Sequence, residues 1–361
     1  MSDPGVPRYH AADLRAFASA LARAAGLPTD KAATMAEILV EADMMGRSTH
    51  GIEHMGHWYL PDLERDVMTK AGDVAIVADH GAALALDGRY LPGTWTVTRA
   101  LALAFERLER HPVVTIAIRD SHHVGFHAAF LRRATERGFI MTLLDTNPYF
   151  EVVAPAGGIK PVFSPTPVAY GFPTAGDPIL VDFALASTSL SSVERANRLD
   201  ERLKGKWLID HEGTASDHPK ALLGQPKGSI LPLGGADRGH KGYGLFFMVY
   251  ALAAGLSGFG TPASPRGFAS AVFLQLIDPA RFAGRDAFAR ELDVIIEACH
   301  ASPAAPGGES VRVPGERAMK TYRDSEANGV ALFPTVLKTL KPWAEKLNVP
   351  MPRPHGSTRS P

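Results

Sequence analysis

Apolar residues recur at three- and four-residue spacing through AADLRAFASALARAAG and stop at Gly26, which predicts an amphipathic helix. TDKAATMAEILVEADMMG repeats the pattern, with Thr29 as a candidate N-cap and Gly46 as the stop. The segment from His50 to about Leu63 reads as a third helix. Two short strand-like runs then follow in DVAIVADHGAALALDG, broken by His80-Gly81, a hairpin signal. GTWTVTRALALAFERLERH is a long amphipathic helix that ends before Pro112.

Beyond Pro112 the pattern changes to short β-branched runs between Gly/Pro-rich turns: PVVTIAIRDS, GFIMTLLDTN, PTPVAYGFP and PILVDFALA, with a helix, AAFLRRATERG, between the first two. The stretch from Glu194 to Ser229 is polar and irregular. An apolar helix after Lys241 and the strand SAVFLQLID close the middle of the chain. A helix around DAFARELDVIIEACH, a loop through PAAPGGESVRVPGERA and a last helix, VLKTLKPWAEKLN, follow. This alternation predicts the α+β class, with a β-rich middle between helical ends.

At 361 residues the chain suits two or three units. The change of texture sets the expected boundaries: a helical part of a catalytic lobe over 1–118, a β-rich domain over 119–298, and a segment over 299–348 that returns to the first lobe. Residues 349–361 read as a disordered tail, too poor in apolar residues to pack. Lys plus Arg and Asp plus Glu balance at 38 each, without a basic cluster, which argues against nucleic acid or an anionic membrane as partner. The most apolar run, LFFMVYALAAGL, falls well short of the roughly 20 residues that span a bilayer. Cys299 stands alone, which excludes an intrachain disulfide and a Cys-based zinc site. With no secretory pattern at the N-terminus, the expectation is a cytoplasmic protein.

Four stretches carry candidate chemistry. The first, ADMMGRSTHGIEHMGHWYL, holds His50, His54 and His57 at helical spacing, which leaves three readings open. These are a zinc site with Glu53 nearby, a proton-transfer site at His50 oriented by the Thr49 hydroxyl, and a helix face with incidental imidazoles. HGIEH lacks the H-E-x-x-H order that sets a glutamate beside a metal. The second, Ser121-His122-His123 turning through Gly125 into a helix, lies where ligands commonly sit in α/β folds, or is a polar turn. The third, LPLGGADRGHKGYGL, sets five glycines around Lys241, reading as a flexible loop able to hold phosphate or as plain turns; it is not a P-loop, because His240 stands where the lysine belongs. The fourth is VRVPGERAM, where Arg317 suits a phosphate or carboxylate clamp or a surface ion pair.

In this order the segments resemble the malate/L-lactate dehydrogenase family, which lacks a Rossmann domain and includes ureidoglycolate, sulfolactate and diketogulonate oxidoreductases and piperideine- and pyrroline-carboxylate reductases. The motifs are Gly46 to His54, Ser121 to Gly125, Asp182-Phe183-Ala184, Leu231 to Gly244 and Pro314 to Arg317, spread over almost the whole chain. The resemblance implies a helical lobe plus a β-rich dinucleotide-binding domain, NAD or NADP as cofactor, a homodimer and a small-molecule substrate. It implies hydride transfer to or from the C2 carbon of a 2-oxo or 2-hydroxy acid or a cyclic imine carboxylate, without a metal. On the same basis His50 is the proton donor, Thr49 its orienting hydroxyl and His123 a second catalytic histidine. His54 and Thr166 fall at substrate-binding positions. His122, Gly125, Asp182, Phe183, Ala184, Lys241, Gly242, Pro314, Gly315, Glu316 and Arg317 fall at cofactor-binding ones.

The departures gather at the substrate end. The arginine that pairs with the substrate carboxylate in the family falls on His54, and histidine offers fewer donors and less charge than a guanidinium fork. Ser192 stands where imine-reducing relatives carry an acidic residue, and Ser164-Pro165-Thr166-Pro167 replaces Gly-Thr-Asn-Pro. These changes imply altered substrate recognition. They keep a second reading open, a repurposed non-redox member such as a lyase using His50 and His123 as acid and base, or a binding protein.

Overall fold

The computed structural model describes residues 7–259 and 269–355. Helices α1 (Ala11–Ala24) and α2 (Thr29–Met44) pack side by side at the N-terminus. The hairpin β1 (Ala75–Asp79) and β2 (Ala83–Asp87) leads through α3 (Gly93–Leu108) to β3 (Val113–Ser121). Next come α4 (His127–Thr135), β4 (Ile140–Thr146), β5 (Pro167–Phe172), β6 (Ile179–Ala184) and α5 (Leu190–Arg198). Helix α6 (Gly235–Val249), strand β7 (Ser270–Ile277) and helices α7 (Arg285–Ala301), α8 (Glu316–Asn328) and α9 (Val336–Lys346) complete the long elements.

The seven strands form one sheet in the order β1-β2-β3-β7-β4-β5-β6, in which only β2 and β3 run parallel. Strand β7 arrives late in the chain yet lies between β3 and β4. Its side chains alternate: Val272, Leu274 and Leu276 join α3 and α4 in one core, whereas Ala271 and Phe273 join Phe246, Val249 and Ala253 on the opposite face. A third core, built by α1, α2 and α9 with Tyr59 and Leu60, belongs to the helical part. The architecture is α+β, as the periodicity predicts.

Several local expectations need correction. The segment after His50 is not one regular helix. A 3₁₀ turn, Ser48–His50, is followed by wide π-type turns over Met55–Tyr59 and then a short α segment, Leu60–Glu64. Pro61 lacks the N–H that a regular helix would direct to His57, which favours the widened turn. The glycine-rich stretch around Lys241 is helix rather than flexible loop. Helix α6 starts at Gly235, after Gly234 at φ 99°, so Lys241 lies within it. Helix α8 escapes the periodicity reading because ERAMKTYRDSEAN is polar around most of its circumference and buries only Met319 and Ser325. The polar stretch after Glu194 contains a small sheet, formed by Leu208–Ile209, Ala215–Ser216 and Ser229–Ile230.

The expected disordered tail is placed as far as residue 355. Val349 and Met351 pack against the helical core, and His355 N–H donates to Arg8 O. Two apolar side chains are enough to dock so short a segment. The remainder, 356–361, lies outside the described residues. A two-residue strand at Arg8–Tyr9 pairs with Val330–Ala331, tying the chain's two ends together.

Candidate active site

The sheet register gathers polar segments at one end. Ser121, closing β3, pairs with Ser270, opening β7; Thr146, closing β4, pairs with Ala271; Pro167, opening β5, pairs with Ala184, closing β6. Facing this end from the helical part are Arg47, Thr49, His50, His54 and Trp58. Together they enclose a cavity of about 570 Å³, within the range of small-molecule sites.

His50 ends the 3₁₀ turn, its N–H donating to Arg47 O at 2.9 Å. Thr49 Oγ1 lies 3.1 Å from His50 Nδ1, so one ring nitrogen is engaged locally and the other is left for chemistry. A Cβ on Gly51 would fall 2.2–2.3 Å from the Asp43 carboxyl, so glycine is required there. Asp43 Oδ2 accepts the Ile52 N–H at 2.8 Å, fastening the turn to α2. Burial pushes Asp43 up to about 8, against the pull of that hydrogen bond and with help from Glu53. His50 is held below the ordinary histidine value, chiefly by burial. The Asp182 charge pulls it back up, and His127 and Arg47 push it further down.

His123 lies between these elements, its ring centroid 4.6 Å from His54 and 6.3 Å from His50. Its Nδ1 accepts the Gly125 N–H at 3.2 Å, and the Tyr59 hydroxyl lies 2.8 Å from the same nitrogen. An Nδ1 that accepts leaves the proton of a neutral ring on Nε2. Burial, reinforced by the neighbouring histidines, holds His123 well below its ordinary value, so it is a neutral donor at Nε2. His54 is 9% exposed and stacked among His50, His123 and Trp58; burial, with His50 and His57 adding to it, pushes it down to about 3. It carries no charge at neutral pH. His57 points elsewhere: its side chain is 45% exposed, with Nε2 4.0 Å from Glu53. The three histidines therefore do not converge. Among the described residues no group of three or more His, Cys, Asp and Glu side chains is placed to hold a metal ion.

The floor is polar. His122 Nε2 lies 2.9 Å from Asp62 Oδ2. Asp182 Oδ2 accepts the Ala128 N–H at the start of α4. Asp145, pushed up to about 6 mainly by burial, lies 3.6 Å from His127 Nε2. Thr166, with φ 47°, belongs to a hydroxyl cluster with Thr146 and Ser164 at 3.0–3.3 Å. Ser192 is tied into the start of α5, where its N–H donates to Ser189 Oγ.

Of the residues singled out in the sequence, Thr49, His50, His54, His122, His123, Gly125, Thr166, Asp182, Phe183 and Ala184 line this one cavity. Lys241, Gly242 and Pro314 to Arg317 do not. Gly242 packs against the backbone of Leu233, which does line it. Pro314 O accepts the Leu180 N–H, and a Cβ on Gly315 would strike Pro178 O and Leu180 N, so this turn is seated on β6. Glu316 takes the Val313 N–H and lies 2.6 Å from His300 Nε2. Arg47, Asp43, Tyr59, His127 and Asp145 were not singled out. Each gains its meaning from its neighbours in space rather than from its place in the chain.

Residues 9–341 match the malate/L-lactate dehydrogenase family. The chain belongs to that family. The L-sulfolactate dehydrogenase of Methanothermobacter thermautotrophicus is 29% identical over 334 residues, covering 90% of this chain and 93% of that protein. The L-lactate dehydrogenase of Cupriavidus necator is 28% identical over 348 residues, covering 94% and 97%. The crystal structure of malate dehydrogenase from Entamoeba histolytica matches in fold with a TM-score of 0.90, covering 96% of this chain and all of that one at 22% identity. As a member of the malate/L-lactate dehydrogenase family, the chain is an NAD(P)-dependent dehydrogenase. Among the described residues no helix is long and apolar enough to cross a membrane.

Proposed function

We propose that the protein moves hydride to or from the C2 carbon of a 2-oxo or 2-hydroxy acid, or of a cyclic imine carboxylate, with His50 handling the proton. The observation that carries this reading is the pairing of His50 and His123 in one cavity, each with its Nδ1 engaged by a neighbouring group of the chain. The nicotinamide, when bound, supplies or accepts the hydride. The residues present fit such a group: His127 Nε2 and Asp145 Oδ1 are buried without a hydrogen-bond partner, suited to an amide, while Phe150, Phe183 and Leu233 offer apolar wall for a ring. Asp182 to Ala184 and Gly125 border it. Gly242 and the turn at Pro314–Gly315 act from behind, holding Leu233 and β6, with Lys241 and Arg317 assigned to the outer part of the dinucleotide.

The chain's own part is proton transfer and orientation. Neutral His50 takes the hydroxyl proton as a hydroxy acid is oxidised, and its protonated form returns it in reduction. Thr49 fixes the ring. His123 donates a hydrogen bond from Nε2 to the same substrate oxygen or nitrogen. The buried surroundings exclude water and strengthen both contacts.

Incubation with NADH or NADPH and a panel of 2-oxo acids and cyclic imines, following absorbance of the reduced cofactor, tests the reading; failure to bind or oxidise either cofactor defeats it. The neutral His54, and an uncharged Ser192 where imine-reducing relatives carry an acidic residue, favour one other reading, a lyase using His50 and His123. It requires turnover without nicotinamide. The two lobes proposed are 1–118 with 299–348, and 119–298. The partner proposed is a second copy of this chain: α7 has no buried residue, and Val294 and Ile295 are 66% and 54% exposed. The single cysteine fits a cytoplasmic location.

A further inference from the structure

A substrate that carries a carboxylate beside the reacting carbon needs a cation close to His50. The lining offers two carboxylates, Asp145 and Asp182, and neutral or paired imidazoles. Among the described residues it offers one guanidinium or ammonium group, that of Arg47. The His50 N–H closes the turn onto Arg47 O, and in a 3₁₀ turn residues three apart project their side chains in the same direction. Arg47 also acts electrostatically on His50, so it is near the reacting end. Its guanidinium has no hydrogen bond or ion pair among the described residues, whereas Arg195 is 3.7 Å from Glu53 and lies over the Phe333 ring.

We propose that Arg47 is the specificity-determining anchor for the carboxylate of an anionic 2-oxo or 2-hydroxy acid, reached from the chain segment that precedes His50 rather than from position 54. This rests on the function proposed above. A planar fork held beside the proton-transfer ring grips both carboxylate oxygens and sets C2 against His50, and its side chain is exposed and solvated until substrate arrives.

The test uses the full chain saturated with NADH or NADPH, comparing wild type with Arg47→Gln and Arg47→Lys. Pyruvate and pyruvamide are the paired substrates, and oxamate is the binding probe in calorimetry. In wild type the acid is preferred over the amide. In Arg47→Gln that preference and the oxamate affinity both fall about 10- to 100-fold, mainly through the KM of the acid, while the amide loses far less. Arg47→Lys lies between, because charge survives and the fork does not. The acid-to-amide ratio at one pH cancels any change that losing Arg47 causes in His50. An unchanged ratio with unchanged oxamate binding overturns the assignment. If wild type turns over neither substrate with either cofactor, the proposed function fails for these acids. The oxamate titration still decides Arg47: equal affinity in wild type and Arg47→Gln overturns it.

Discussion

Asp43→Asn separates the mechanical role of the Asp43 side chain from the cost of its charge. The carboxyl is enclosed beneath the His50 turn, accepts one N–H from Ile52 and leaves Oδ1 without a partner. Its value in the fold is about 8, against an ordinary 3.8. The unfolded chain therefore releases this proton near pH 4 and the folded chain only near pH 8, so the fold binds more protons in between. Stability is greatest below about pH 4, falls as pH rises through that window, and levels off above 8. At about 1.4 kcal/mol per pH unit, the group contributes a loss of about 3 kcal/mol between pH 5.5 and 8.5. Asparagine keeps the shape and an oxygen for the Ile52 N–H but does not titrate. Thermal unfolding of both proteins across that range is the assay. The variant's melting temperature relative to that of wild type is expected to rise by roughly 3–8 °C between pH 5.5 and pH 8.5. A difference that stays constant with pH, or that grows toward acid, would refute the argument.

Other changes probe the same site by different routes. His50→Ala should lower kcat about a hundred- to ten-thousand-fold while leaving NADH affinity, read by fluorescence titration, nearly intact; equal losses in both would point to collapse of the turn. Asp182→Asn removes the charge that pulls His50 upward, so the acidic limb of the oxidation rate, which needs neutral His50, should move down by about 1 pH unit; an upward move contradicts that electrostatic picture. Gly51→Ala forces a methyl into the Asp43 carboxyl and should cost about 1–3 kcal/mol in urea unfolding together with most of the activity; full retention would mean the turn is not held as described.

The chain's periodicity makes its strands readable because β1 to β7 each carry local alternation or short β-branched runs between turn residues. It also marks α1, α2, α3 and α9, whose apolar stripes are wide. Helix α8 and the first turns of α6 were not readable. One is polar on most faces, and the other is so glycine-rich that its helical state depends on Gly242 seating against Leu233. Thr49-His50-Gly51 and Ser121-His122-His123 stand out as motifs because they supply special side chains at special turns.

What no linear pattern contains is the insertion of β7 between β3 and β4, since that pairing is between segments far apart in the chain. That insertion sets Ser270 beside Ser121 and helps bring the polar strand ends to a single crevice. Burial then decides the chemistry. It makes His54 and His123 neutral and Asp43 an acid, because removing charge from water costs more than a lone hydrogen bond returns. The residue types were legible in the sequence; their charge states and company came only with the tertiary structure.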